Sequence, residues 1–131
     1  MSGKLLSLAA LVLAVCGVTF NFLPQETAAR LGIEASAATV AMLELLGVAL
    51  LAFAVVDWMS RGAPVGGIYG RPLALGNLLL FGAGGLSLAR GATAGGPVEL
   101  LGPAAAVFLA LAAAFAWLTF GRKGPANDRD R

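Results

Sequence analysis

The longest apolar stretch of the chain is AATVAMLELLGVALLAFAVVDWM, residues 37–59, and its charged residues are Glu44 and Asp57. A helix needs about 20 mostly apolar residues to cross a hydrocarbon core roughly 30 Å thick, because each residue advances it by about 1.5 Å. The stretch therefore predicts a membrane-spanning helix. A water-soluble domain could not bury a helix that is apolar on all sides, so we expect the rest of the chain to be membrane-spanning as well.

Three further stretches have the same character, at residues 5–23, 73–89 and 100–120. The connections between the four are short and carry helix-breaking proline and glycine. Short connections make neighbouring helices antiparallel. The sequence predicts an all-α fold, a four-helix transmembrane bundle with up-down-up-down topology. Residues 1–120 form this domain, and residues 121–131 are expected to be a disordered cytoplasmic tail.

Composition excludes most kinds of active site. Hydrophobic residues make up 59% of the chain and charged residues 12%, against roughly 25% charged in soluble domains. There is no histidine, and Cys16 is the single cysteine, so the usual general base, zinc spacing and disulfide framework are all missing. We expect no cofactor, no metal and no enzymatic activity. The pI near 9.2 does not indicate nucleic-acid binding, because the basic residues lie at loops and termini.

The basic residues predict an orientation, since Lys and Arg accumulate in cytoplasmic loops. Arg30 and Arg90 fall on one side of the predicted bundle. The remaining seven of the nine fall on the other side: Lys4, Arg61, Arg71, Arg122, Lys123, Arg129 and Arg131. Both termini are therefore expected in the cytoplasm, in a multi-pass protein of the bacterial cytoplasmic (inner) membrane.

Residues 5–23 also admit a second interpretation, a cleaved signal peptide, because Lys4 precedes the apolar stretch. The stretch is longer than a usual signal-peptide core, and no clear small-x-small cleavage site follows it. We expect it to be retained as the first span.

Polar residues inside the spans are costly, by roughly 2.5–3.5 kcal/mol for a charge near the helix centre, and are the first candidates for a site. Glu44 lies on a helix face with several small residues, so we predict that it points into the bundle. Arg90, at the outer end of the third span, is its expected ionic partner, and Asn21 is an expected hydrogen-bond partner. The group could bind a proton, cation or ligand, or could fix the register of the helices.

Two further polar residues, Asp57 and Asn77, lie within the predicted spans, and the sequence suggests a different environment for each. Asp57 lies near the cytoplasmic end of the second span, one turn before Arg61, which is typical of a solvated helix end. Asn77 lies beside small residues of the third span, where it is expected to hydrogen-bond to a neighbouring helix. The candidate intramembrane polar site is thus Glu44, Arg90, Asn21 and Asn77.

Several local motifs resemble a group of small bacterial membrane proteins with a four-helix, DoxX-like architecture. The most specific are Asp57-Trp58-Met59, the run 66–72 (GGIYGRP), Gly76-Asn77, and Leu23-Pro24 leading to Leu31-Gly32. The resemblance covers most of the first three spans. Where that group often carries a histidine, this chain has Leu80 and Phe81, so histidine chemistry is not carried over. The resemblance implies the fold and no established activity.

Three classes of function remain open. Small-residue faces and very little mass outside the membrane favour a non-enzymatic protein that acts by association, as an accessory subunit of a larger membrane complex or as a homo-oligomer. The alternative is a minimal proton- or ion-coupled transporter or channel that uses Glu44. A membrane enzyme ranks last. The lipid bilayer is the one partner that the sequence itself indicates.

Overall fold

The described residues, 2–62 and 68–121 of a computed structural model, are almost entirely helical and contain no strand. Four long helices and one short one follow each other along the chain. Their bounds are Ser2–Phe22 for α1, Pro24–Arg30 for α2, Ala37–Ser60 for α3, Gly70–Thr93 for α4 and Val98–Ala116 for α5, which continues as a π-helical turn over Trp117–Gly121.

The four long helices confirm the predicted four-helix bundle, and each is long and apolar enough to cross a membrane. The chain is thus a multi-pass membrane protein. Helix α4 is longer than the predicted third span, residues 73–89, at both ends. Of the predicted disordered tail, residues 121–131, Gly121 is the last residue of the π-helical turn, and residues 122–131 lie outside the described residues. Residues 66–67 of the GGIYGRP motif also lie outside them.

Helix α2 lies where the sequence predicted a plain connection. Pro24 occupies its first position, where the missing N–H costs no hydrogen bond, Glu26 lies in its first turn and Arg30 in its last. The helix ends at Arg30, and Gly32, two residues later, has a left-handed φ of 70°. Helix α3 then begins after Ser36, whose hydroxyl accepts a hydrogen bond from the backbone N–H of Thr39 at 3.2 Å.

The long helices associate as two close pairs, α1 with α3 and α4 with α5. In the first pair, a Cβ added to Gly47 would lie 2.8 Å from the carbonyl oxygen of Gly17, so the two backbones are in contact. In the second pair, a Cβ added to Gly85 would lie 2.8 Å from the side chain of Leu109. Glycine permits this close approach, which is how helices pack in a membrane without a hydrophobic driving force.

Aromatic side chains also join the two helices of the second pair. Phe81 of α4 is fully buried and packs edge-on against Phe108 at a centroid distance of 5.1 Å, and it stacks on Phe115 at 6.0 Å. The buried core combines these rings with small and branched residues from all four long helices: Leu6, Ala9, Leu13, Leu50, Ala54, Ala74, Leu111 and Ala112.

Candidate functional site

Two polar residues, Asp57 and Asn77, lie in this core. Asp57 continues the buried face of α3 that carries Gly47, Leu50 and Ala54, at spacings of three and four residues. Asn77 lies on the corresponding buried face of α4. Both have no solvent-exposed surface. Because residues three and four apart share a helix face, the two polar side chains are directed into the space between the helix pairs.

The two side chains are joined by a short hydrogen bond. Nδ2 of Asn77 donates to Oδ1 of Asp57 at 2.6 Å and also to the carbonyl oxygen of Leu73, one turn earlier, at 3.1 Å. The second bond fixes the orientation of the amide, because only its nitrogen can donate to a carbonyl. We refer to Asp57 and Asn77 as the polar pair. The hydrogen bond of the polar pair joins α3 to α4 and therefore joins the two helix pairs.

In the part of the chain that the structure describes, two acceptor atoms of the polar pair are buried without a hydrogen-bond partner. They are Oδ2 of Asp57 and Oδ1 of Asn77. Leaving a buried acceptor unsatisfied costs about 1–3 kcal/mol, and more for a charged group. The polar pair is therefore incomplete as a hydrogen-bonded unit.

Arg61 does not neutralise Asp57. Its guanidinium donates from Nη1 to the carbonyl oxygen of Trp58 at 2.7 Å and lies over the Trp58 ring, 3.8 Å from the centroid. Both Arg61 and Trp58 are exposed. The prediction of a solvated acid at the end of the helix, paired with Arg61, is thus wrong for Asp57. The spacing of three and four residues that relates Asp57 to Ala54, Leu50 and Gly47 also relates Glu44 to Gly47, so the spacing alone could not show which acid faces inward.

The prediction that Glu44 points into the bundle is also wrong. Glu44 is exposed. It lies at the edge of the buried face of α3, about 60° from Gly47 but roughly 100° from the middle of the face at 100° per residue. Asn21 does reach this turn of α3, but its Nδ2 donates to the backbone carbonyl of Glu44, at 3.2 Å, and not to the carboxylate.

Arg90 lies in the last turn of α4, exposed, and within residues 2–62 and 68–121 no ion pair joins it to Glu44. The structure therefore brings Asn77 to Asp57, and Asn21 to the backbone of Glu44, but does not gather the four predicted residues into one site.

At the opposite end of the bundle, the two helix pairs and α2 border an apolar cavity of about 670 Å³ that is partly open to the surroundings. Its volume is within the range of roughly 300–1,000 Å³ found for small-molecule sites. All five helices contribute to its lining, which consists of Val15, Cys16, Thr19, Phe20, Leu23, Glu26, Thr27, Arg30, Leu31, Leu43, Leu46, Leu88, Leu100, Leu101 and Ala104.

The polar groups of the apolar cavity are confined to one side. The hydroxyls of Thr19 and Thr27 donate to carbonyl oxygens one turn earlier, at 2.8 and 2.7 Å, so they offer no free proton to a ligand. Glu26 and Arg30 lie one turn apart on α2, and both are exposed. The cavity thus combines an apolar interior with one cationic and one anionic group at its rim.

The chemistry available at these two places is limited. Within the described ranges there is no cluster of three or more His, Cys, Asp or Glu that could hold a metal ion. The polar pair can exchange a proton, and the apolar cavity can hold an apolar molecule with a polar end. Comparison with protein-family models, curated proteins and solved structures finds no match to this chain.

Proposed function

We propose that the chain is a non-enzymatic membrane protein that binds a long-chain amphiphilic lipid between its two helix pairs. The observation that supports this is the apolar cavity. Its interior is lined mainly by Leu, Phe and Val side chains, which can pack against the hydrocarbon chain of a lipid by van der Waals contact. The bilayer around the protein supplies such molecules at high concentration.

The rim of the apolar cavity accounts for the amphiphilic character of the proposed ligand. Arg30 presents a guanidinium that can bind a phosphate or carboxylate head group in a bidentate manner, and Glu26 lies one turn away on the same short helix. The buried side of α2, formed by Pro24, Thr27 and Ala28, covers the end of the bundle. The ligand chain would lie beneath α2 and its head group beside Arg30.

Photo-crosslinking tests this proposal directly. The purified protein, in lipid nanodiscs, is irradiated with a long-chain fatty acid that carries a diazirine group on its chain, and labelled residues are identified by mass spectrometry. We expect labelling to concentrate on cavity residues such as Cys16, Leu43 and Leu101. Labelling spread evenly over the lipid-facing side chains would contradict the proposal.

A matched pair of variants on α5 provides the control. Ala104 lines the apolar cavity, whereas Ala106, two residues later, is exposed. Ala104→Phe fills part of the cavity and is expected to reduce the labelling of Cys16 and Leu101 several-fold. Ala106→Phe adds the same ring to the outer surface and should leave that labelling unchanged. Equal labelling in both variants would show that the probe does not occupy the cavity.

The remaining features of the proposal come from the sequence. They are the bacterial inner membrane, cytoplasmic termini, the resemblance to DoxX-like proteins, and association with a second copy or a larger membrane complex. Affinity purification from the native membrane, followed by mass spectrometry, tests for both kinds of partner. A transport function that depends on Glu44 stays a prediction, and no contact of the Glu44 carboxylate in the described part of the chain supports it.

A further inference from the structure

The polar pair has an unusual hydrogen-bond balance. Both amide hydrogens of Asn77 are engaged, one on Asp57 and one on the Leu73 carbonyl. The two atoms left over, Oδ2 of Asp57 and Oδ1 of Asn77, are both acceptors. Each belongs to one of the two planar groups joined by the 2.6 Å hydrogen bond, so a single donor placed between them would satisfy both.

The buried position of Asp57 also disfavours a negative charge on its carboxyl group. An ionised Asp57 would carry a buried negative charge with one hydrogen bond, and isolated buried charges are strongly disfavoured. Within residues 2–62 and 68–121, the ionisable groups at this end of the bundle are Lys4 on α1, Arg61 on α3, and Tyr69 and Arg71 at the start of α4. All four are exposed, and α5 with its π-helical turn contributes none from residue 100 to residue 121.

We propose that Asp57 and Asn77 form a proton-binding site, in which Oδ2 of Asp57 carries the proton and donates a hydrogen bond to Oδ1 of Asn77. The carboxylic acid and the amide are then joined by two hydrogen bonds: Nδ2–H of Asn77 donates to Oδ1 of Asp57, and Oδ2–H of Asp57 donates to Oδ1 of Asn77. No buried acceptor of the polar pair is left without a partner. One proton removes the charge and satisfies both atoms. A bridging water would satisfy the atoms but leave the charge.

Proton binding has a consequence for the interface. The two hydrogen bonds join α3 to α4, which belong to different helix pairs, and the contact between the pairs contains no close backbone approach like that of Gly17 and Gly47. Loss of the proton leaves an unpaired carboxylate in this contact and weakens it. Because the folded protein binds this proton, the stability that the polar pair contributes is present at low pH and lost as pH rises past the release of the proton.

Infrared spectroscopy tests the proposal on the native sequence. Protein in lipid nanodiscs is labelled with ¹³C at the aspartate carboxyl carbon, which affects Asp57, Asp128 and Asp130. At neutral pH we expect an isotope-sensitive C=O band of a protonated carboxylic acid, which converts to a carboxylate band as pH rises. If aspartate gives carboxylate bands alone, as a water-bridged ionised Asp57 would, the proposal is wrong.

Two substitutions give an independent measurement. Asp57→Asn keeps two complementary hydrogen bonds without a titrating proton, so its thermal midpoint should not change between about pH 5 and about pH 9, whereas that of the native protein should fall by several degrees. Glu44→Gln is the matched control on the same helix and should keep the native pH dependence. An Asp57→Asn protein whose thermal midpoint is as pH-sensitive as that of the native protein would overturn the proposal. If this variant does not fold, the infrared measurement on the native sequence tests the proposal by itself. The lipid-binding proposal is not required for either outcome.

Discussion

At one end of the bundle the two helix pairs are joined by Asp57 and Asn77, with a hydrogen bond of 2.6 Å. At the other end the same two pairs are separated by the apolar cavity of about 670 Å³. The first end contains the polar pair, whose side chains are fully buried, whereas the second is open space lined by apolar side chains. A contact that is specific at one end and loose at the other allows the helix pairs to separate where the ligand is proposed to bind, without losing their register.

The largest effect is expected at the polar pair. Asn77→Leu leaves Asp57 buried without a partner and should lower the free energy of unfolding by about 3–5 kcal/mol at a pH where Asp57 is ionised. The double variant Asp57→Leu/Asn77→Leu replaces both groups by apolar side chains and should recover most of that loss. Denaturation in mixed micelles, followed by circular dichroism, measures both. Equal destabilisation by the single and double variants would show that packing alone holds this end together.

An intermediate effect should distinguish the two ends by their packing. Ala74, one turn before Asn77 on α4, is buried, and Ala74→Leu should destabilise by about 1–3 kcal/mol because the added volume has no space. The same change at Ala104, which lines the apolar cavity, should cost at most about 0.5 kcal/mol. The same denaturation assay compares the two. Similar costs would mean that the cavity is not available to a side chain.

The smallest effect is expected at the second acid of α3. Glu44→Gln should change the free energy of unfolding by less than about 0.5 kcal/mol, because the carboxylate is exposed and Asn21 bonds to the backbone carbonyl. Thermal denaturation in nanodiscs is a sufficient measurement. A loss of unfolding free energy as large as that expected for Asn77→Leu would show that the Glu44 carboxylate makes a stabilising contact, and Glu44 would again be a candidate site residue.

Much of the fold could be predicted from the sequence. The hydrophobic thickness of a bilayer sets the length of a spanning helix, so four apolar stretches imply four helices, and short connections imply an up-down-up-down arrangement. Helix α2 also has sequence features from which a short helix could have been predicted. Pro24 at its start and Arg30 in its last turn are typical of a short helix.

The candidate site was harder to predict, and the two acids of α3 show why. In a soluble protein the apolar side of a helix marks its buried face. In α3 apolar residues surround the helix, because its outward side faces lipid as apolar as the core. The sequence of residues 37–59 therefore determined that Glu44 and Asp57 would lie in a spanning helix, but not which of them would face inward.

Tertiary packing made that choice. The contact of Gly17 with Gly47 fixes the rotation of α3, and this rotation places Asp57 against Asn77 and directs Glu44 outward. The apolar cavity likewise depends on how five helices meet and has no local sequence signature. Sequence alone determined that the chain spans a membrane with four helices, because this depends on length and composition. The position of the polar pair and of the apolar cavity was decided by the structure, because both depend on contacts between residues far apart in the chain.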